Sequence, residues 1–341
     1  LLYSLLSGHS RLFVTSLEDD MVTALAKAGP EFRRTLKAGS IGKLYQALLA
    51  HTCLPTLKLI SMRGARDYTH APRVYSTSVD FSLDYHSFED DLVESLAGEN
   101  FAGLSVESIE EAVMTFYACL AKAMDEAEKP FVISKPGTGA QSLLAAREFF
   151  QGRKPKVLYI VRDPRGVVCS HATKRIPPLL FAQEWRTDIQ ALEALKHHYP
   201  VYMVHYEKLC LNTKGEMGAV ADFIGVDFED VFLKPTMRGQ RFTGNSSFKS
   251  FGGEISTASI ERWKTALDQS DIHEIEDAAS AEMERLGYVL LEPMTTGRQF
   301  RNMMKALGSV ICKKFWTVFR VAGTYLALSQ REQHHYVLSN S

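Results

Sequence analysis

KVLYIVRDPRGVVCSHATKR, residues 156–175, sets an unbroken apolar run against an abrupt charged turn. Val157 to Val161 are all branched or aromatic, and the run stops at Arg162-Asp163-Pro164-Arg165. Such a run reads as a strand buried on both faces, the form that parallel sheets favour. Asp163 suits a helix cap and Pro164 the first helical position, so a helix is expected to begin there. Strand, tight turn and helix form the unit of a parallel α/β sheet. In such sheets ligands bind beyond the carboxyl ends of the strands. Arg162 stands at that end, the helix start offers free backbone donors, and Ser170 lies two turns further on. A guanidinium fork with a nearby hydroxyl suits a phosphate monoester. The same residues also fit a sheet-edge ion pair and a helix-surface serine. Arg165 is expected either to brace the helix or to face solvent.

Outward from this stretch the alternation recurs. PFVIS (130–134) reads as a strand and AQSLLAAREFF (140–150) as a helix. FAQEWRTDIQALEALKHHY (181–199) reads as a helix, VYMVHY (201–206) as a strand, and a helix is expected around 215–224. At the start, LLYSLL reads as a short helix, Gly8 as its stop and RLFVTS as a strand. The expected fold class is therefore α/β, a parallel sheet flanked by helices. Residues 20–120 read mostly as helix and loop. They include an amphipathic helix over 108–128, with Ile109, Val113, Phe116, Leu120 and Met124 on one face, and an aperiodic stretch over 64–87. After Pro235, MRGQRFTGNSSFKSFGGE (237–254) reads as loop, with helices following at 257–268 and 271–286. KALGSVICKKFWTVFRVAGTYLAL (305–328) is apolar but interrupted by lysines and an arginine. It suits a helix packed on the domain, or one lying on a membrane surface or a partner.

Bulk properties narrow the classes. A net charge of −1 leaves no global basic field for nucleic acid, so any anion site must be local. The five cysteines include no CxxC pair, which excludes a disulfide framework or a zinc site while leaving one bridge open. No run approaches the roughly 18 apolar residues of a membrane span, and no signal-peptide pattern is visible. The chain opens Leu1-Leu2-Tyr3 without a methionine, so its natural start is expected upstream. The compartment stays open: cytoplasm, or Golgi lumen should an upstream segment carry an anchor.

Arg-Asp-Pro-Arg after a strand, with a serine eight residues past the first arginine, resembles the 3′-phosphate site of sulfotransferases that use 3′-phosphoadenosine 5′-phosphosulfate. LLYSLLSGHSRLFVTSLED (1–19) resembles the segment that follows this family's 5′-phosphosulfate loop. VHYEKLCLN (204–212) resembles its Tyr-Glu-x-Leu strand end, and FTGNSSF (242–248), IERWK (260–264) and LGY (286–288) follow in family order. The resemblance spans residues 1–292, with 20–120 as a helical, acceptor-side insertion after the second strand and 293–341 as a C-terminal helical extension. The family's Pro-x-Ser-Gly-Thr-like loop is not in this chain and is expected just before residue 1. His9-Ser10 stands where proline is more usual.

The resemblance implies a P-loop-type sheet and in-line transfer of a sulfuryl group from that donor to a hydroxyl or amine, with no metal. It places Arg162 and Ser170 on the 3′-phosphate, and Tyr206, Asn245 and Ser246 with the donor. Ser246 and Lys135 then act near the transferred group, and Glu18 is the candidate base. Glu18, with neighbours Asp19 and Asp20, also suits a solvated acidic turn, and His171 and His205 are held as alternative bases. His197-His198 and His334-His335 read as surface pairs. SKPGTGAQS (134–142) has three readings: the family's Lys-x-Pro strand end, a second phosphate loop, or a plain turn. It lacks the Gly-x4-Gly-Lys-Ser/Thr order of a nucleotide triphosphatase. Asn245-Ser246-Ser247 also forms a glycosylation sequon, Tyr206 and Glu207 also suit fixing a strand end, and Arg262-Trp263 suits either the donor loop or a core anchor. The acceptor class stays open among small molecule, glycan and peptide. Tyr68, His70, Arg73, Tyr75, Tyr85 and His86 suit either acceptor contact or a solvated loop. Two other functions fit the sequence, a P-loop kinase-like phosphotransferase and a non-catalytic binding module of the same fold.

Overall fold

The apolar run and the turn behind it fold as their local chemistry requires. The structure, a computed structural model, describes residues 1–15, 22, 25–26, 85–98, 106–135, 139–170, 177–241 and 254–291. In chain order the elements are α1 (Leu2–Leu6), β1 (Leu12–Val14), α2 (Tyr85–Gly98), α3 (Val106–Ala123), β2 (Phe131–Ile133) and α4 (Ala140–Ala146). There follow β3 (Val157–Val161), α5 (Pro164–Ser170), α6 (Pro178–Leu195), β4 (Val201–His205), α7 (Tyr206–Leu211) and α8 (Thr213–Ile224). A hairpin of β5 (Thr236–Met237) and β6 (Gln240–Arg241) leads on to α9 (Trp263–Ala266) and α10 (Gln269–Arg285). Short 3-10 turns cover Arg147–Phe150, Asp230–Leu233 and Thr257–Ser259.

The α/β expectation holds. β1 pairs parallel with β2, Phe13 against Val132, and β3 pairs parallel with β4, Tyr159 against Met203. Among the described residues these are separate two-stranded ladders, where the sequence suggested one sheet. What joins them is apolar packing. Leu5, Leu6, Leu12, Val14, Val204, Leu209, Met217 and Phe232 form one buried cluster, with Phe131, Ile133 and Leu158 packed against it. All four parallel strands therefore touch a core built by α1, α7 and α8. The opposite face of β3 and β4 turns Val157, Tyr159, Val201 and Met203 toward Ala140, Leu192 and Leu195 of α4 and α6. Residues alternate between these two cores with the strand period of two. Each fully buried leucine contributes about 1.5–3 kcal/mol.

One expectation fails in part. The strand read as buried on both faces leaves Ile160 37% exposed, while Val161 beside it is buried. Among the described residues β3 is bonded on one side only, and an edge strand keeps one flank open. The amphipathic helix is present as α3, and Val113, Phe116, Leu120 and Met124 are all buried. The helix expected over 257–268 is broken into a 3-10 turn and the short α9.

Local devices fix the ends. Gly8 has φ +92°, and a Cβ there would lie 3.0 Å from the Gly239 Cα, so the turn after α1 needs glycine twice over. His9 is fully buried and stacked on Phe232 at 4.7 Å. Its Nδ1 accepts from the Arg11 amide, so Nε2 carries the proton and donates to the Asp227 carbonyl at 3.0 Å. Asn212 caps α8 at Gly215, and Gly225 closes it in the left-handed region.

Two compact units divide the chain, Leu1–Asp268 and Gln269–Ser341. The sequence-based boundary at 292 follows motifs, whereas this one follows compactness. Within the second unit α10 buries Ile272, Ile275, Ala279 and Met283 along one stripe, and Glu276 accepts from the Leu291 amide at 2.9 Å. No helix among the described residues is long and apolar enough to cross a membrane.

Candidate functional site

The turn after β3 is built by Asp163. Its Oδ1 accepts from the Arg165 amide at 2.9 Å and its carbonyl from the Val167 amide at 3.0 Å, which starts α5 behind Pro164. Its own amide donates to Glu207 Oε1 at 2.9 Å, tying the end of β3 to the start of α7. Arg162 precedes this turn, and its carbonyl accepts from Trp185 Nε1 of α6 at 3.1 Å. The backbone that carries Arg162 is thus held by three elements.

The two arginines then part company. Arg165 is 3% exposed and forms a fork–fork pair with Asp163, with Nη2 to Oδ2 at 2.7 Å. Its guanidinium stacks 3.8 Å over the Trp263 ring. Of the two readings left open for it, bracing the helix is the one observed. Arg162 Nη1 donates to Ser170 Oγ at 2.8 Å and Nη2 to the Ser259 carbonyl at 2.7 Å. Its guanidinium lies 4.3 Å over the Tyr206 ring, within cation–π range. No carboxylate among the described residues pairs with Arg162, and its buried Nε has no hydrogen-bond partner among them. Arg162 is therefore a held cation whose charge no described acid answers. Ser170 Oγ in turn donates to the Gly166 carbonyl at 2.8 Å, so it bridges the helix and the guanidinium.

The groups that touch the Arg162 guanidinium are neutral. The Tyr206 hydroxyl meets Ser259 Oγ at 2.7 Å. Burial raises the Tyr206 phenol, against the Ser259 bond and the Arg162 charge that pull it down. Burial likewise raises the thiols of Cys169, opposed by Arg262 and then Arg162, and of Cys210, opposed by its bond with Tyr206 and then by Arg162. These thiols stay protonated at neutral pH, which fits buried packing rather than nucleophilic work.

Lys135 follows β2, with its Nζ 5.9 Å from the Tyr3 ring centroid on α1. The start of α4, behind the Lys-Pro-Gly-Thr segment, has its anion already. Asp188 of α6 accepts the Gln141 amide at 3.1 Å with one oxygen and the Tyr159 hydroxyl at 2.6 Å with the other. A Cβ at Gly139 would sit 2.2 Å from that carboxylate. This occupancy weighs against the second-phosphate-loop reading of SKPGTGAQS, because a phosphate there would meet Asp188. Burial first, then the Asp188 charge and hydrogen bond, pushes the Tyr159 phenol far up.

His205, held as an alternative base, sits where β4 runs into α7. Burial lowers its pKa, Lys208 adds to that, and Glu207 and Glu216 oppose it. The charges that act on it belong to α7 and α8. Glu18, Asn245, Ser246 and His171 lie outside the described residues, as do residues 20, 64–84 and 293–341 of the expected insertion and extension. Among the described residues no three His, Cys, Asp or Glu side chains gather as a metal would require.

Sequence reasoning missed Ser259 and Asp188. Ser259 lies 97 residues from the arginine it supports. Its only sequence signal is that it directly precedes IERWK, a segment with a family resemblance. Asp188 reads as an ordinary polar position of a surface helix.

Residues 179–287 match the family model for the sulfotransferase domain. That stretch is thus similar to the sulfotransferase domain, in line with the resemblance drawn from the motifs of the sequence. The matched stretch includes Tyr206, Ser259 and Trp263 and begins just downstream of Ser170, so it meets the Arg162 fork from the other side. Among solved structures, the sulfotransferase domain from the curacin biosynthetic pathway is 17% identical, with a TM-score of 0.47, over 85% of this chain and 93% of that one. The sulfotransferase domain from the Synechococcus PCC 7002 olefin synthase is 18% identical, with a TM-score of 0.38, over 81% and 88%. No curated protein sequence matches the chain.

Proposed function

We propose that this chain is a sulfotransferase that takes 3′-phosphoadenosine 5′-phosphosulfate as donor and a hydroxyl or amine as acceptor. The observation that carries the reading is Arg162. Its guanidinium is fixed by Ser170, Ser259 and the Tyr206 ring, and Nε lacks an acceptor among the described residues. An arginine fixed by neutral partners keeps its charge for an incoming anion. Arg162 and Ser170 then hold the 3′-phosphate, and the Ser170 hydroxyl turns its proton from the Gly166 carbonyl to a phosphate oxygen.

When bound, the donor supplies an activated sulfuryl group whose transfer leaves charge on a phosphate. Lys135, just past β2 and facing the Tyr3 ring of α1, is assigned to that developing charge. Glu18 is assigned to take the acceptor proton, and Asn245 and Ser246 to the phosphosulfate end. Tyr206 supports Arg162 through its ring. The acceptor is a small molecule, glycan or peptide met on the side of residues 20–120. The chemistry calls on positioned cations and one base and assigns no step to a metal.

Calorimetric titration with 3′,5′-adenosine bisphosphate, against AMP and ATP, tests the reading. Binding that requires the 3′-phosphate and disappears in Arg162→Ala is expected. Equal binding of AMP and the bisphosphate overturns it.

A further inference from the structure

Three residues from distant parts of the chain close a ring around the guanidinium. Arg162 directly follows β3, Tyr206 opens α7, and Ser259 ends the 3-10 turn that precedes α9. Tyr206 presents its ring face to the guanidinium at 4.3 Å and its hydroxyl to Ser259 Oγ at 2.7 Å. Ser259 returns its carbonyl to Nη2 at 2.7 Å. Ser259 is 5% and Tyr206 8% exposed, so water competes little for these bonds. The ring is stiff because each member bonds the next.

We propose that Ser259 and the Tyr206 hydroxyl are positioning residues for Arg162, and that through it they set the preference of the site for a 3′-phosphate. The proposal rests on reading Arg162 as the 3′-phosphate anchor. The Ser259–Tyr206 bond locks the 257–259 turn onto α7, and the turn's carbonyl then fixes the guanidinium plane. An arginine fork recognises phosphate through paired, directional N–H bonds, so the orientation of its plane governs affinity. Fixing that plane before the ligand arrives removes ordering loss from the binding step. The neutral phenol suits this work, because burial raises Tyr206 and keeps its hydroxyl hydrogen in place.

The test uses calorimetry with 3′,5′-adenosine bisphosphate and 3′-AMP, and competition by 5′-AMP, on the wild-type chain, Tyr206→Phe, Ser259→Ala and the double variant. Tyr206→Phe keeps the ring under the guanidinium and Ser259→Ala keeps the carbonyl; both remove the Tyr206–Ser259 bond, and Tyr206→Phe also removes the phenol's bond with the Cys210 thiol. Each single variant is expected to weaken both 3′-phosphate ligands about 3–10-fold and to leave 5′-AMP unchanged. The double variant is expected to lose no more than Tyr206→Phe alone, because the bond that Ser259→Ala removes is already gone there. Urea midpoints recorded alongside show whether each variant remains folded. Unchanged 3′-phosphate affinity, losses that multiply in the double variant, or an equal loss for 5′-AMP would each overturn the proposal. A wild-type chain with no 3′-phosphate preference would instead overturn the underlying reading of Arg162.

Discussion

Arg162 and Arg165 stand three residues apart on one turn, and the protein treats them in opposite ways. Arg165 is enclosed by Asp163 on its edge and Trp263 on its face. Arg162 is enclosed as firmly, but by two serines and a tyrosine, none of them charged at neutral pH. A guanidinium matched to a carboxylate is finished, and its removal strands the acid. A guanidinium matched to hydroxyls and a carbonyl is held in place with its charge intact. The difference separates an arginine that builds the turn from one that the turn presents. Asp188 at the head of α4 makes the same point in reverse: a backbone amide already answered by an internal carboxylate has less to offer a phosphate.

The largest effect expected from this contrast is on stability. Arg165→Ala leaves the nearly buried Asp163 uncompensated and should cost about 3–5 kcal/mol, read as a lower urea midpoint. Pairing it with Asp163→Asn should recover part of that loss. An Arg165→Ala chain as stable as wild type would erase the distinction between the two arginines.

Arg162→Ala should act on binding instead. Losing two charge-assisted bonds at about 1.5–3 kcal/mol each predicts at least a ~100-fold loss of 3′,5′-adenosine bisphosphate affinity. The urea midpoint should fall by less than for Arg165→Ala, since the Ser259 carbonyl loses its donor, about 1–3 kcal/mol, but no described acid is stranded. A large stability loss without a binding loss would reverse the assignment.

Gly139→Ala probes the occupied helix start. Its methyl would meet the end of the Asp188 side chain, which can swing aside only by giving up its bond to the Gln141 amide, so the cost should be about 0.5–1.5 kcal/mol. Asp188→Ala should also destabilise, and the two changes together should cost less than their sum, as expected of groups in contact.

The smallest effect is a pH slope. Burial lowers the His205 pKa, so the folded chain binds fewer protons than the unfolded one just below 6.5. Stability should therefore rise with pH from the lowered value up to 6.5. His205→Gln should flatten that slope in urea titrations across the window. An unchanged slope would show that His205 is not the group responsible.

The sequence-to-structure relation follows the range of the interactions. Asp163 capping α5, Pro164 opening it and Ser170 meeting Arg162 are contacts within one strand–turn–helix unit, and spacing alone exposes them. The same holds for α3, whose apolar stripe is local. The broken helix over 257–268 is less legible, because its turn is fixed by Ser259 reaching Arg162 and Tyr206. The half-exposed Ile160 was hidden for another reason: strand composition reports burial propensity but not which strands pair.

The sequence by itself determined the α/β alternation, the helix start at Asp163-Pro164 and the place of Arg162 at a strand end, because these follow from periodicity and from contacts a few residues long. Tertiary structure decided which arginine is neutralised. Trp263, Ser259 and Tyr206 come from remote segments, and only their packing settles whether a guanidinium meets a carboxylate, a ring or a hydroxyl.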